Sequence, residues 1–131
     1  MSADNHGELL LEDDLRYLQG KQFEFQVIQD SSGLNVIITN FAFPTHYTPA
    51  TGSLLIILPA GYPNANPDMF WTIPDVKLQS GAWPQACAEH EQHAGMLWQR
   101  WSRHFQIPWR PNVDGLHTFV ACIKKELRKG I

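Results

Sequence analysis

At 131 residues, the chain fits one domain and is too short for two ordinary ones. Hydrophobic side chains make up 44% and charged ones 18%, which excludes a disordered chain and supplies enough apolar surface for a packed core. A formal net charge of −3 gives no global attraction to nucleic acid or to an anionic membrane.

Residues 1–10 read as a loose leader and residues 11–131 as a single domain. In "ELLLEDDLRYLQ" the apolar positions Leu11, Leu15 and Leu18 predict a short amphipathic helix that Gly20 ends. "KQFEFQVIQ" alternates, with Phe23, Phe25 and Val27 on one side and Gln22, Glu24 and Gln26 on the other, the pattern of a half-buried strand. After the turn "DSSG" comes a β-branched second strand, "LNVIITNFAF". "PTHYTPATG" is a loop, and "SLLIIL" is apolar enough for the middle of a sheet. "PAGYPNANP" holds three prolines and a glycine and cannot be a helix or a central strand. "DMFWTI" makes a fourth strand, stopped by Pro74. The fold class is therefore α+β: a four-stranded antiparallel meander flanked by a short N-terminal helix and a C-terminal helix.

From Val76 to Pro111 the pattern is irregular, and "AWPQACAEHEQHAGMLWQ" suggests a helical turn or two. Asp114 is an expected N-cap, after which Leu116, Phe119, Val120, Ile123 and Leu127 form one helical stripe. Lys124, Lys125, Arg128 and Lys129 suit the C-terminal turns of that helix. No apolar run reaches membrane-spanning length, and the acidic start lacks the basic and apolar regions of a secretory signal. Two cysteines, Cys87 and Cys122, are too few for a disulfide scaffold. A cytoplasmic protein with reduced thiols is the expectation.

The order of helix, meander, proline-rich corner, Trp-X-Pro and helix resembles the ubiquitin-conjugating (E2) fold. "LPAGYPNANPDMFW" carries the resemblance, a buried strand followed by Tyr-Pro and a second proline before an aromatic strand. "WRP" at Trp109–Pro111 is similar to the E2 Trp-Ser-Pro. The likeness covers roughly Phe23 to Lys129, and the order of the motifs is more specific than any one of them. Within the superfamily, "GMLWQRWSRHFQIPWRPNVDGL" looks most like a bacterial E2-like group, prokaryotic E2 family E. Its members are associated with ubiquitin-like proteins, E1-like adenylating enzymes and isopeptidases.

The resemblance implies a carrier that accepts a ubiquitin-like protein from an E1-like enzyme as an ester and passes it to a target. The E1-like partner would dock at the amino-terminal helix and spend the ATP, so the chain needs no cofactor of its own. Antiviral defence follows only by analogy. Two departures stand out. The His-Pro-Asn usual after the fourth strand is missing from "PDVKLQSGAWPQ". The usual cysteine, about eight residues before the Trp of Trp-Ser-Pro, is also missing, and the nearest nucleophile there is Ser102.

Three readings of the chemistry stay open. In the first, Ser102 carries an oxyester, and a serine hydroxyl needs a base. An extended "WSRHF" would put His104 on the same face as Ser102, with Arg103 or Arg100 beside the developing oxyanion. In the second, Cys87 is the nucleophile, with His90 at i+3 above the thiol on a helix and Glu89 and Glu91 raising its pKa. In the third, the domain binds a ubiquitin-like or E1-like partner without catalysis. Cys122 is core packing. Cys87, His90, His93 and His104 have metal-ligand types but no supporting Cys-X-X-Cys, so no metal is expected. Arginines alternate with aromatics in "WQRWSRHFQIPWR", yet no basic footprint accompanies them, and Trp98, Trp101 and Trp109 are better read as walls of the core or groove.

Overall fold

The computed structural model describes residues 6–131. Helix α1 spans Glu12–Gly20, followed by strands β1 Phe25–Asp30, β2 Gly33–Ala42, β3 Tyr47–Thr48 and β4 Thr51–Leu58. Strands β5 Phe70–Ile73, β6 Lys77–Leu78, β7 Glu89–His93 and β8 Met96–Trp101 lead to helix α2, Leu116–Leu127.

The four expected strands are β1, β2, β4 and β5, paired antiparallel in that order. The sheet does not stop there. Strand β8 pairs with β5, and β7 closes the far edge in the order β1-β2-β4-β5-β8-β7. Within the segment expected to be irregular, residues 89–101 form a hairpin in place of the suggested helical turns, turning at Ala94 and Gly95, with φ of 50° and 77°. Positive φ at both central residues is what a tight two-residue hairpin requires. Gly95 adopts it freely, and Ala94 gives no sequence warning of it.

Both helices lie on one face of the sheet. Leu116, Phe119, Val120, Ile123 and Leu127 of α2 are fully buried with Val36, Ile38, Leu54, Ile56, Phe70 and Trp101, each large apolar side chain contributing about 1.5–3 kcal/mol. The opposite face carries a smaller cluster of Ile37, Leu55, Trp71 and Trp98. Trp98 and Trp101 sit at an odd separation in one strand, so they face opposite ways. Both are walls, in different cores.

The amino-terminal helix differs from its expected stripe. Leu11 is exposed, and the buried positions of α1 are Asp14 and Leu18. Of the residues read as a leader, 1–5 lie outside the described residues. His6 donates to the Val27 carbonyl at 2.6 Å, a 3-10 turn spans Gly7–Leu9, and Leu10 is buried.

A carboxylate on the buried face of a helix needs hydrogen bonds in exchange for lost water. Asp14 accepts from the Leu116 amide at 3.1 Å and from the Tyr62 hydroxyl at 2.7 Å. It thus satisfies an orphan amide of the first turn of α2 and ties the proline corner to both helices. Asp114, the expected cap, instead accepts from the Thr118 hydroxyl at 3.0 Å and from the Arg110 amide at 2.8 Å. Trp109 completes the corner, donating from Nε1 to the Pro63 carbonyl at 2.7 Å, its ring tilted 6.2 Å from Tyr62.

Asp14→Ala is expected to cost about 1–3 kcal/mol in urea unfolding, because it strands the Leu116 amide and the Tyr62 hydroxyl. Glu12→Ala, at an exposed ion pair with Arg16, should change stability by less than about 0.5 kcal/mol.

Candidate active site

Strand β8 sets the site because its residues alternate between the two faces of the sheet. Gln99 and Trp101 point into the helix-side core, and both are fully buried. Trp98 and Arg100 point the other way. Ser102 continues the alternation just past the strand end, so its i−2 neighbour Arg100 meets it. Arg100 Nε donates to Ser102 Oγ at 2.8 Å. Across the hairpin the same guanidinium ion-pairs with Glu89 and Glu91. The hydrogen bond to Glu91 is the largest cause raising the Arg100 pKa. Burial alone would raise the Glu91 pKa, but hydrogen bonds from Arg100, His93 and Trp71 outweigh it and hold the carboxyl below its ordinary value.

Ser102 is half-buried and lines a hollow of about 340 Å³. The other lining residues are Pro84, Ala86, Cys87, Ala88, Glu89 and Arg100. The two candidate nucleophiles, distant in sequence, therefore border one space. They border it differently. Cys87 is 1% exposed; its thiol donates to the Pro84 carbonyl at 3.1 Å and lies 3.3 Å from Gln99 Nε2. Burial pushes the thiol up to about 11, against the Arg103 charge and the Gln99 hydrogen bond. The thiol is raised as expected, but by burial and not by Glu89 and Glu91, which are both engaged by Arg100.

Several expected contacts are replaced by others. His104 does not meet Ser102: its Nδ1 lies 2.8 Å from Asp68 Oδ1, in an exposed pair. Arg103 does not stand at the mouth. Its position has the inward sense of Trp101, and it is buried, stacked on the Trp101 ring at 4.8 Å. It donates from Nε and Nη2 to the Gln85 carbonyl at 3.0 and 2.9 Å, and lies 3.4 Å from Glu126. Cys87 is in a loop, and His90 belongs to β7, where it pairs with Asp75 at 2.7 Å. His93 pairs with Glu91 at 3.1 Å. Cys122, expected in the core, is only half-buried. Among the described residues no three His, Cys, Asp or Glu side chains converge as a metal site, and no helix is long and apolar enough to cross a membrane.

Sequence reading missed Gln99, which bonds directly to Cys87. The available signal was a lone amide at a core-facing position of a stretch that otherwise sends Trp101 inward. That signal becomes readable only once the stretch is known to be a strand, which the polar edge strand β7 hides in the sequence.

A family model described as prokaryotic E2 family E matches residues 10–130. No curated protein and no solved structure matches the chain.

The thiolate fraction of Cys87 at pH 8 is about one in a thousand for a pKa of about 11. In a Cys122→Ser protein, iodoacetamide at pH 8 should therefore modify Cys87 at least about a hundredfold more slowly than a free cysteine. The rate should climb toward pH 11, which stopped-flow or mass spectrometry would follow.

Proposed function

The chain belongs to prokaryotic E2 family E, and on that premise we propose that it is a carrier in a ubiquitin-like conjugation pathway. It takes a ubiquitin-like protein from an E1-like adenylating enzyme as a covalent ester on Ser102 and passes it to an amine or hydroxyl of a target. The observation that carries this reading is the Ser102 hydroxyl on the rim of the hollow, held by the Arg100 guanidinium at 2.8 Å. It stands seven residues before Trp109, close to where the resembling family keeps its cysteine.

In the loading step Ser102 Oγ attacks the carbonyl carbon of the thioester on the E1-like enzyme. The C–O bond forms, the C–S bond breaks, and the serine proton ends on the departing thiolate. Arg100, whose Nε is 2.8 Å from the attacking oxygen, has the role of stabilising the developing negative charge in this reading, which a fixed guanidinium does without reorganising. Glu89 and Glu91 hold that guanidinium in place. The exposed Leu9 and Leu11 with Glu12 and Asp13 of α1 supply the surface for the E1-like enzyme.

A second reading is a non-catalytic module that binds a ubiquitin-like or E1-like partner. It is favoured by His104, which turns to Asp68 rather than to Ser102, and by the sealed thiol of Cys87.

Purified E1-like enzyme, ubiquitin-like protein and ATP, mixed with this chain and run on a gel, separate these cases. The expected adduct resists thiols, yields to hydroxylamine, disappears in Ser102→Ala and persists in Cys87→Ala. Arg100→Ala should slow its formation at least about tenfold. A thiol-sensitive band, or one unchanged by Ser102→Ala, moves the acceptor to Cys87. Failure to form any adduct favours the binding module.

A further inference from the structure

A fully buried glutamine is costly unless each of its polar atoms finds a partner. Gln99 is 0% exposed, and every one does. Its Oε1 accepts from the Thr72 hydroxyl at 2.9 Å and from the Val76 amide at 2.7 Å. Its Nε2 donates to the Val76 carbonyl at 2.9 Å and to the Cys87 carbonyl at 3.0 Å, with Cys87 Sγ at 3.3 Å. The Val76 amide needs an acceptor and its carbonyl a donor, so this residue fixes which way the carboxamide points.

The far side of the hollow needs such a restraint. Ala86 has a φ of 58°, a left-handed conformation that is unfavourable for a residue with a Cβ. Three consecutive carbonyls hold the loop there. Gln85 accepts from Arg103, Ala86 from the Ser102 amide at 2.8 Å, and Cys87 from Gln99. All three donors belong to β8 or its direct continuation. The position of the loop and the position of Ser102 are thus set by the same strand.

We infer that Gln99 is the positioning residue of the candidate site: its carboxamide fastens Cys87, and with it one wall of the hollow, to the strand that presents Arg100 and Ser102. Its consequence for ester transfer rests on the carrier reading above; its consequence for the Cys87 loop does not. Gln99 touches no reacting atom of the Ser102 ester and acts by fixing the loop. Without it the Cys87 carbonyl, the thiol and both polar groups of Val76 lose their common partner, while the Ser102–Ala86 bond remains.

The test compares Gln99→Met, which keeps side-chain length without the hydrogen bonds, with its parent, both carrying Cys122→Ser. The variant should still unfold cooperatively, and iodoacetamide should modify Cys87 at least about tenfold faster than in the parent, because the loop opens more often. With E1-like enzyme, ubiquitin-like protein and ATP, the maximal rate of adduct formation should fall at least about tenfold at an unchanged half-saturating concentration of the E1-like enzyme. A Cys87 modification rate within about twofold of the parent overturns the inference. If the parent forms no adduct, the carrier reading fails while thiol modification still decides the positioning role. If Gln99→Met does not fold, hydrogen exchange of the Val76 amide in the parent decides. Protection of about a thousandfold or more supports the inference, and exchange within about tenfold of the unfolded rate overturns it.

Discussion

The pleat of β8 is the constraint on which the rest depends. Successive side chains of a strand must leave on opposite faces, so the run from Trp98 to Trp101 is sorted before any of its residues has a role, and the burial of Ser102 and Arg103 follows the same alternation. Gln99, Trp101 and Arg103 go inward, where burial forces each polar group to find a partner. Trp98, Arg100 and Ser102 go outward. One face of a six-residue stretch builds the wall, and the other presents a cation and a hydroxyl. The sorting explains why Arg103 is consumed in anchoring the Gln85 carbonyl while its neighbour in sequence but one turn of the pleat away, Ser102, lines open space.

Much of the fold was legible because hydrophobic period is a direct record of burial. Phe25 and Val27 mark β1, the apolar run 53–58 marks the central strand, and the five-residue stripe of α2 is buried as its spacing predicts. The hairpin was not legible. Strand β7 is "EHEQH", an exposed edge whose side chains record no core, and its turn uses Ala94 where asparagine or aspartate would have signalled positive φ. The pairing of Ser102 with His104 failed for a related reason. Residues two apart share a face only while the chain stays extended, and beyond Trp101 the side chain of His104 turns to Asp68. The i−2 neighbour inside the strand, Arg100, has the regular geometry. Spacing identifies which residues can meet, and the end of an element decides which of them do.

The same dependence on tertiary partners appears at the amino-terminal helix. Asp14 breaks the apolar pattern of α1 and looks like a solvent-facing residue, yet it is buried at the junction of α1, α2 and Tyr62. A buried carboxylate that answers an amide at the start of α2 and a hydroxyl from the proline corner fixes three segments at once. Through Tyr62 the link continues to Trp109, whose indole holds the Pro63 carbonyl. The chain leaving Ser102 is therefore anchored at both ends, by the Ala86 carbonyl at Ser102 and by the corner at Trp109.

The two candidate acceptors bordering the hollow fall short in different ways, and the difference ranks them. Ser102 has access and a cation but, among the described residues, no hydrogen bond to a base. Cys87 has neither access nor charge, since burial keeps its proton. A missing base is corrected by the reaction itself when the leaving group is a thiolate able to take the proton. Missing access is corrected only by moving the loop, which means giving up the Pro84 and Gln99 contacts of the thiol and disturbing three neighbouring carbonyls. Each buried group left without a partner costs about 1–3 kcal/mol, so opening carries a penalty that attack by the rim hydroxyl avoids. Cys87 is accordingly part of the fixed wall of the hollow, and on the proposed carrier function Ser102 is the candidate that a bulky incoming thioester would reach.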